Sequence, residues 1–335
     1  MRKYILYFIV VLMILFSCKK TIEKKIEIIP VKIYEQNIHQ RVWKKCNFDL
    51  IAKIKSDSLY NPISLKVDNE ENIYVYDLPK QKIKMISNEG KYIEYGSGRG
   101  KGPKEFLNLT DYYIDSLVYI VDPNLSKVAI FKKDGRFIED FKLKKIRPYR
   151  FVSIGKYYLI RPVNLTERLF ILLDKNFKKI SEIGNFFEYI EPIKRSILFD
   201  GKLCTNGIDK IYYGFLYSGI IAKYDIINDT FEYYNTIDKT KLPQIEKIAG
   251  GKGVKAPKKS PKACIDIFFD DDKVYILTNT TKNKEPVLDV YNSNLSYLFS
   301  FRLPSDKIYS LKIKNKKLFA LLITGEILIW QIKFV

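Results

Sequence analysis

NIYVYD at Asn72–Asp77, LVYIVD at Leu117–Asp122, YYLIRP at Tyr157–Pro162, KIYYGF at Lys210–Phe215, KVYILT at Lys273–Thr278 and KLFALL at Lys317–Leu322 are six versions of one short apolar and aromatic stretch. Aligned on Tyr74, Tyr119, Tyr158, Tyr212, Tyr275 and Phe319, they recur on average about every 49 residues, near the period of a propeller blade of four strands. Aromatic and β-branched side chains suit a pleated, half-buried surface, so each copy reads as a strand.

The flanks repeat as well. Before the motif lies an alternating segment, such as ISLKVD at Ile63–Asp68 or CIDIFF at Cys264–Phe269. After it comes another, such as KIKMIS at Lys82–Ser87 or KVAIFK at Lys127–Lys132. Glu89–Gly90 and Asp134–Gly135 then supply turns, and Asp-Gly favours a hairpin because the turn needs positive φ. A fourth strand leads out. The sixth copy is incomplete: IYSLKI, KLFALL and EILIWQIKFV give three strands before Val335. The missing strand is expected from the other end of the chain, at Val42–Ile54, because a ring closed by packing alone would leave an open edge. The sequence therefore predicts an all-β, six-bladed β-propeller of four-stranded antiparallel blades. It occupies 41–335 as a single domain, with the N-terminal strand closing the last blade. A β-sandwich is the alternative, but it needs no six like units.

The N-terminus reads as an address. Arg2 and Lys3 precede an apolar run from Ile5 to Phe16, shorter than the roughly 20 residues of a membrane-spanning helix and suited to a signal peptide over 1–17. Leu15, Ser17 and Cys18 resemble a bacterial lipobox, with Phe16 departing from its usual small or aliphatic residue in a way seen among Bacteroidetes lipoproteins. The resemblance implies a lipid on Cys18, and several acyl chains together anchor stably. Residues 18–40 are polar, lack strand or helix period and read as a lipidated tether. Lys19 and Lys20 stand where surface-exported lipoproteins carry acidic residues, so the expected location is the outer membrane, facing the periplasm.

From Leu59 to Leu143 the chain resembles the NHL-like six-bladed propeller lipoproteins of Bacteroidetes. The resemblance rests on GSGRGKGPKEF, with Gly96, Gly98, Gly100, Gly102, Pro103, Glu105 and Phe106, followed by IDSLVYIVDPNLSKVAIFKKDGRFI. In that family a glycine-rich segment ending G-P-x-E-F connects two blades. A P-loop would need Ser or Thr after the lysine and a helix beyond it, whereas Lys101 is followed by Gly102 and Pro103.

Chemistry is sparse. The single histidine, His39, lies ahead of the blades, which argues against a catalytic triad or a His-ligated metal. Cys46, Cys204 and Cys264 are odd in number and widely spaced; free thiols are expected, with one bridge left open. Asp68, Asp77, Asp122, Asp266 and Asp270–Asp272 fall at strand ends, where they suit turns or, alternatively, oxygen ligands for calcium. No other cofactor is expected. The net charge of +20 reflects lysines spread along the chain. Lys252, Lys255, Lys258, Lys259 and Lys262 cluster in a Gly- and Pro-containing connector between blades four and five and form a candidate patch for anionic surfaces. No recognised nucleic-acid motif is present.

The expected function is a membrane-anchored, non-catalytic binding or scaffold propeller for a protein, peptide or glycan of the cell envelope. A calcium-dependent hydrolase or lyase with carboxylate ligands in the central channel is the rival, and a structural partner in an envelope complex a third reading.

Overall fold

A computed structural model describes residues 31–55, 59–165, 167–248, 254–258, 260–280 and 285–335. Six antiparallel meanders stand side by side. Blade one runs Pro62–Val67, Ile73–Asp77, Lys82–Ile86 and Tyr92–Tyr95. Blade two is Asp111–Ile114, Leu117–Asp122, Lys127–Lys132 and Phe137–Lys142. Blade three is Pro148–Ile154, Tyr157–Pro162, Phe170–Asp174 and Lys179–Ile183. Blade four is Gly201–Thr205, Lys210–Phe215, Ile220–Asp225 and Thr230–Asn235, and blade five Asp266–Asp270, Lys273–Thr278, Val287–Asn292 and Tyr297–Arg302.

Blade six holds Ile308–Lys314, Lys317–Leu322 and Ile327–Phe334, and its outer strand is Cys46–Ile54. Cys46 pairs with Phe334 and Ile54 with Ile327, so the two ends of the chain complete one sheet. This is the six-bladed propeller closed by its N-terminal strand. The closing strand starts later than the expected Val42. Trp43 bridges instead to Ser300 on blade five, with the Ser300 amide donating to the Val42 carbonyl and the Lys44 amide to the Ser300 carbonyl.

The register residues fill the wedges between blades. Tyr74 and Phe131 share a core between blades one and two, and Tyr119, Phe151 and Tyr158 share the next. The Tyr119 and Phe151 rings lie 5.2 Å apart. Because each wedge is filled from both sides, a blade's apolar faces are covered only when its neighbours are present.

Residues 31–40, read from sequence as tether, differ from that expectation. Ile33–Tyr34 pairs in parallel with Tyr233 and Tyr234 as a fifth strand on blade four. Gln36 is buried and its amide donates to the carbonyls of Asn235 and Leu295 while accepting from the Tyr297 amide. Val31 and Ile33 pack on the core beside Tyr233, and the Tyr34 ring stacks on Tyr234 at 5.0 Å; so short a docked stretch leaves no periodic trace in sequence. The one described helix, Pro192–Leu198, sits in the connector before blade four; buried Arg161 holds it by donating to the Ser196 and Phe199 carbonyls. No helix among the described residues is long and apolar enough to cross a membrane.

Candidate functional site

The first strand of each blade is innermost, and together these strands line a central cavity of about 460 Å³. The hairpin register sorts their side chains into layers. Opposite the six register aromatics stand Lys66, Tyr113, Ser153, Cys204, Phe268 and Lys312. One layer deeper come Asp111, Lys202, Asp266 and Ser310, with blade one bulged at Ser64; on blade three Phe151 holds that register, and Arg150 beside it also lines the cavity. Asn69, Asp115, Asn206 and Asp271, on the turns after the inner strands, line the mouth.

Most of these polar groups tie one blade to the next. Lys66 lies 3.1 Å from Asp111 and also donates to the Tyr112 carbonyl. Asp111 accepts from the Phe151 amide. Arg150 donates to the carbonyls of Thr110 and Gly201, spanning blades two to four. Asp266 accepts from the Ser310 hydroxyl at 2.8 Å and from the Leu311 amide, and Lys312 donates to the Phe269 carbonyl. Lys314 pairs with Asp270 at 3.2 Å. The ring is polar because each blade lends its neighbour a partner.

Electrostatics follow from enclosure. Burial lowers the Lys202 ammonium, and the nearby Arg150 charge lowers it further. Lys312 is likewise lowered by burial. Burial pushes the Cys204 thiol up to about 12 and Cys264 well above its usual value, so neither is an activated thiolate. Cys46, Cys204 and Cys264 are free thiols.

The residues singled out in the sequence lie mostly elsewhere. Asp68 accepts from Asn72, Tyr74 and Lys133, and Asp77 lies 2.9 Å from Lys84 in a buried pair. Asp122 caps the turn to Asn124 and also receives the Leu107 and Asn108 amides of the connector. Asp271 and Asp272 occupy an exposed turn at positive φ. Of the acidic candidates, only Asp266, Asp270 and Asp271 line the cavity. Among the described residues no three His, Cys, Asp or Glu side chains converge in a metal-binding group.

The glycine-rich segment joins blades one and two. Gly98–Arg99 pairs in parallel with Glu105–Phe106, and the Gly102 amide donates to Glu105 Oε2 at 2.8 Å. A Cβ on Gly100 would stand 2.0 Å from that oxygen, and one on Gly96, at φ +99°, would strike the Phe106 ring. Phe106 is fully buried between the blades, and Lys104, after Pro103, turns the chain at φ 63°. Lys255, Lys258 and Lys262 are exposed on the connector ahead of blade five, with Lys255 3.5 Å from Glu246. Lys252, Lys259 and Cys18 lie outside the described residues. His39 is exposed.

Sequence reading missed the cavity cations Lys66, Arg150, Lys202 and Lys312. The available signal was their place in the strand before each repeat motif, where a buried inner edge would otherwise be apolar.

The family profile described as 6-bladed β-propeller, DUF5128, matches residues 17–330. The chain belongs to this family. No curated protein matches it by sequence. Among solved structures, an exported protein of Bacteroides fragilis is similar with a TM-score of 0.57 and 11% identity, covering 91% of this chain and 99% of its own. A DUF4221-family protein from Bacteroides vulgatus gives 0.56 and 10%, with 87% and 99% covered. The virginiamycin B lyase of Staphylococcus aureus gives 0.51 and 10%, with 86% and 99% covered. At such identities the likeness is one of fold alone.

Proposed function

We propose that this propeller is an exported lipoprotein that binds a partner in the cell envelope without transforming it. The observation that carries the reading is the hydrogen-bonded ring of the cavity. Lys66, Asp111, Arg150, Asp266 and Lys312 are committed to neighbouring blades, an arrangement that supports a rigid, preformed receptor. With their hydrogen bonds directed at neighbouring blades, these groups meet a bound molecule as fixed contacts.

The lipobox-like Leu15–Cys18 supports attachment through Cys18, and likeness to an exported Bacteroides fold accords with an outer-membrane, periplasm-facing position. The Gly96–Phe106 connector supports an NHL-like ancestry. Lys252, Lys255, Lys258, Lys259 and Lys262 would draw the connector face toward anionic surfaces.

Two experiments test this. Metabolic labelling with an alkynyl fatty acid should mark the protein and fail on Cys18→Ala, with the labelled protein in the outer-membrane fraction. Mature protein should be inert in hydrolase and lyase panels. Turnover that Asp266→Asn or Asp111→Asn abolishes would overturn the binding reading, as would calcium-dependent activity lost to a chelator.

A further inference from the structure

We propose that the central cavity is a site for a small organic monocarboxylate, with the Lys202 ammonium as its counter-charge. The inference rests on the binding reading and assigns that receptor its ligand class.

Lys202 differs from every other cation of the cavity. Lys66 is matched by Asp111, Arg150 by backbone carbonyls, Lys312 by the Phe269 carbonyl and Lys314 by Asp270. Lys202 has neither hydrogen bond nor ion pair among the described residues, although it lies in the deep layer beside blade five. Its surroundings do not neutralise it. Arg150 repels it from blade three, while Asp111, Asp200 and Asp266 attract it without reaching hydrogen-bond distance. Lys202 is part-buried on the cavity wall, so its ammonium faces the cavity rather than a protein partner, and a carboxylate there would complete the pair. This is the gap in the inter-blade ring, at the joint between blades four and five.

The remaining lining narrows the ligand. One ammonium offers one charge, and Asp111 and Asp266 in the same layer oppose a dianion such as phosphate. A metal cation would instead meet Lys202 and Arg150. Leu65, Tyr113, Phe268 and Leu311 give apolar wall for an organic body. About 460 Å³ suits a molecule the size of a sugar acid or an aromatic acid. Since burial lowers the Lys202 pKa, a bound carboxylate should raise it, and binding should take up protons on the alkaline side of neutrality. The titratable groups facing this lysine are Arg150, Asp111, Asp200, Asp266 and the Cys264 thiol.

The test uses detergent-solubilised mature lipoprotein with benzoate and D-glucuronate as probes, their neutral amides as controls, and inorganic sulfate. At least one acid should raise the melting temperature saturably, with the amides and sulfate inactive. Lys202→Met should weaken acid binding about tenfold or more while leaving the unliganded protein as stable or more so. Lys202→Arg should retain binding. Calorimetry in buffers of different ionisation enthalpy should show proton uptake. Equal binding of an amide or sulfate, no response to either acid, unchanged affinity in Lys202→Met, or loss of folding in that variant each overturns the site. Recovery of the acid chemically altered would sink the binding reading while leaving the site standing.

Discussion

Arg41 joins parts of the chain that are far apart in sequence. Its guanidinium donates to both oxygens of Asp289, at 2.9 and 3.0 Å, and to Asp238. Asp289 is fully enclosed on blade five and also accepts from the Ser300 hydroxyl at 2.6 Å. Burial pushes the Asp289 carboxyl up, against the pull of Arg41. Arg41→Ala would leave enclosed Asp289 beside part-buried Asp238 without their cation. We expect a loss of about 3–5 kcal/mol in urea unfolding, whereas exchanges at exposed Lys91 should stay within about 0.5 kcal/mol. Asp68 gives the pH test. Burial alone would raise it, but hydrogen bonds from Asn72 and Lys133 outweigh burial and hold it below the usual carboxylate range. A folded pKa below the unfolded one adds stability that is present above the unfolded value, near about 4, and is lost as pH falls through the folded value. Asp68→Asn should therefore cost about 1–2 kcal/mol at neutral pH, and the gap from the native protein should narrow on acidification. Urea midpoints at neutral and acidic pH check this; a constant gap would show that Asp68 is not held as a carboxylate.

Among the elements, the N-terminal segment makes two separable contributions. Cys46–Ile54 supplies the outer strand of blade six, while residues 31–45 run over blades four and five. Removing the chain through residue 40 should lower stability by about 2–4 kcal/mol, because buried Gln36 and its backbone partners are lost together. Removing it through residue 54 should abolish cooperative unfolding, since the Ile327–Phe334 strand would become an exposed edge beside a half-covered core. Circular dichroism of the two truncations distinguishes the outcomes. The closing strand was legible because β-periodicity survives in FDLIAKI and because the sixth repeat stops short. The docked stretch ahead of it was not, since Gln36 and Arg41 act through partners some two hundred or more residues away. The cavity lay between these extremes. Lys66, Arg150, Lys202 and Lys312 are visible as lysines and arginine within strands, but only the assembled blades show that they line one cavity. Asp68, Asp77 and Asp122 were visible as acids at strand ends, and the structure gives each a turn or inter-strand role.

At the scale of the whole molecule, charge is the property that matters most. The sequence carries 58 basic and 38 acidic side chains, a formal +20. Many of the acids are already matched in local pairs such as Lys82–Glu94 at 2.7 Å and Lys317–Glu71 at 2.6 Å. The excess is lysine and arginine spread along the chain, much of it on a ring whose blades must stay in contact to cover their apolar faces. Such a surface opposes its own compaction, and the opposition weakens as salt shortens the screening length from about 30 Å at 0.01 M to about 8 Å at 0.15 M. Thermal stability should accordingly rise by a few degrees across that range and then level off. An ordinary surface network of favourable pairs would show the reverse, since salt weakens attraction too. The same excess should bind the unlipidated mature protein to anionic vesicles but not to zwitterionic ones, with binding lost over the same range of salt. If the basic connector concentrates this attraction, exchanging Lys252, Lys255, Lys258, Lys259 and Lys262 for Gln should remove most vesicle binding while leaving the salt response of melting largely intact. Vesicle binding that falls only in proportion to the total charge removed would assign the attraction to the whole toroid.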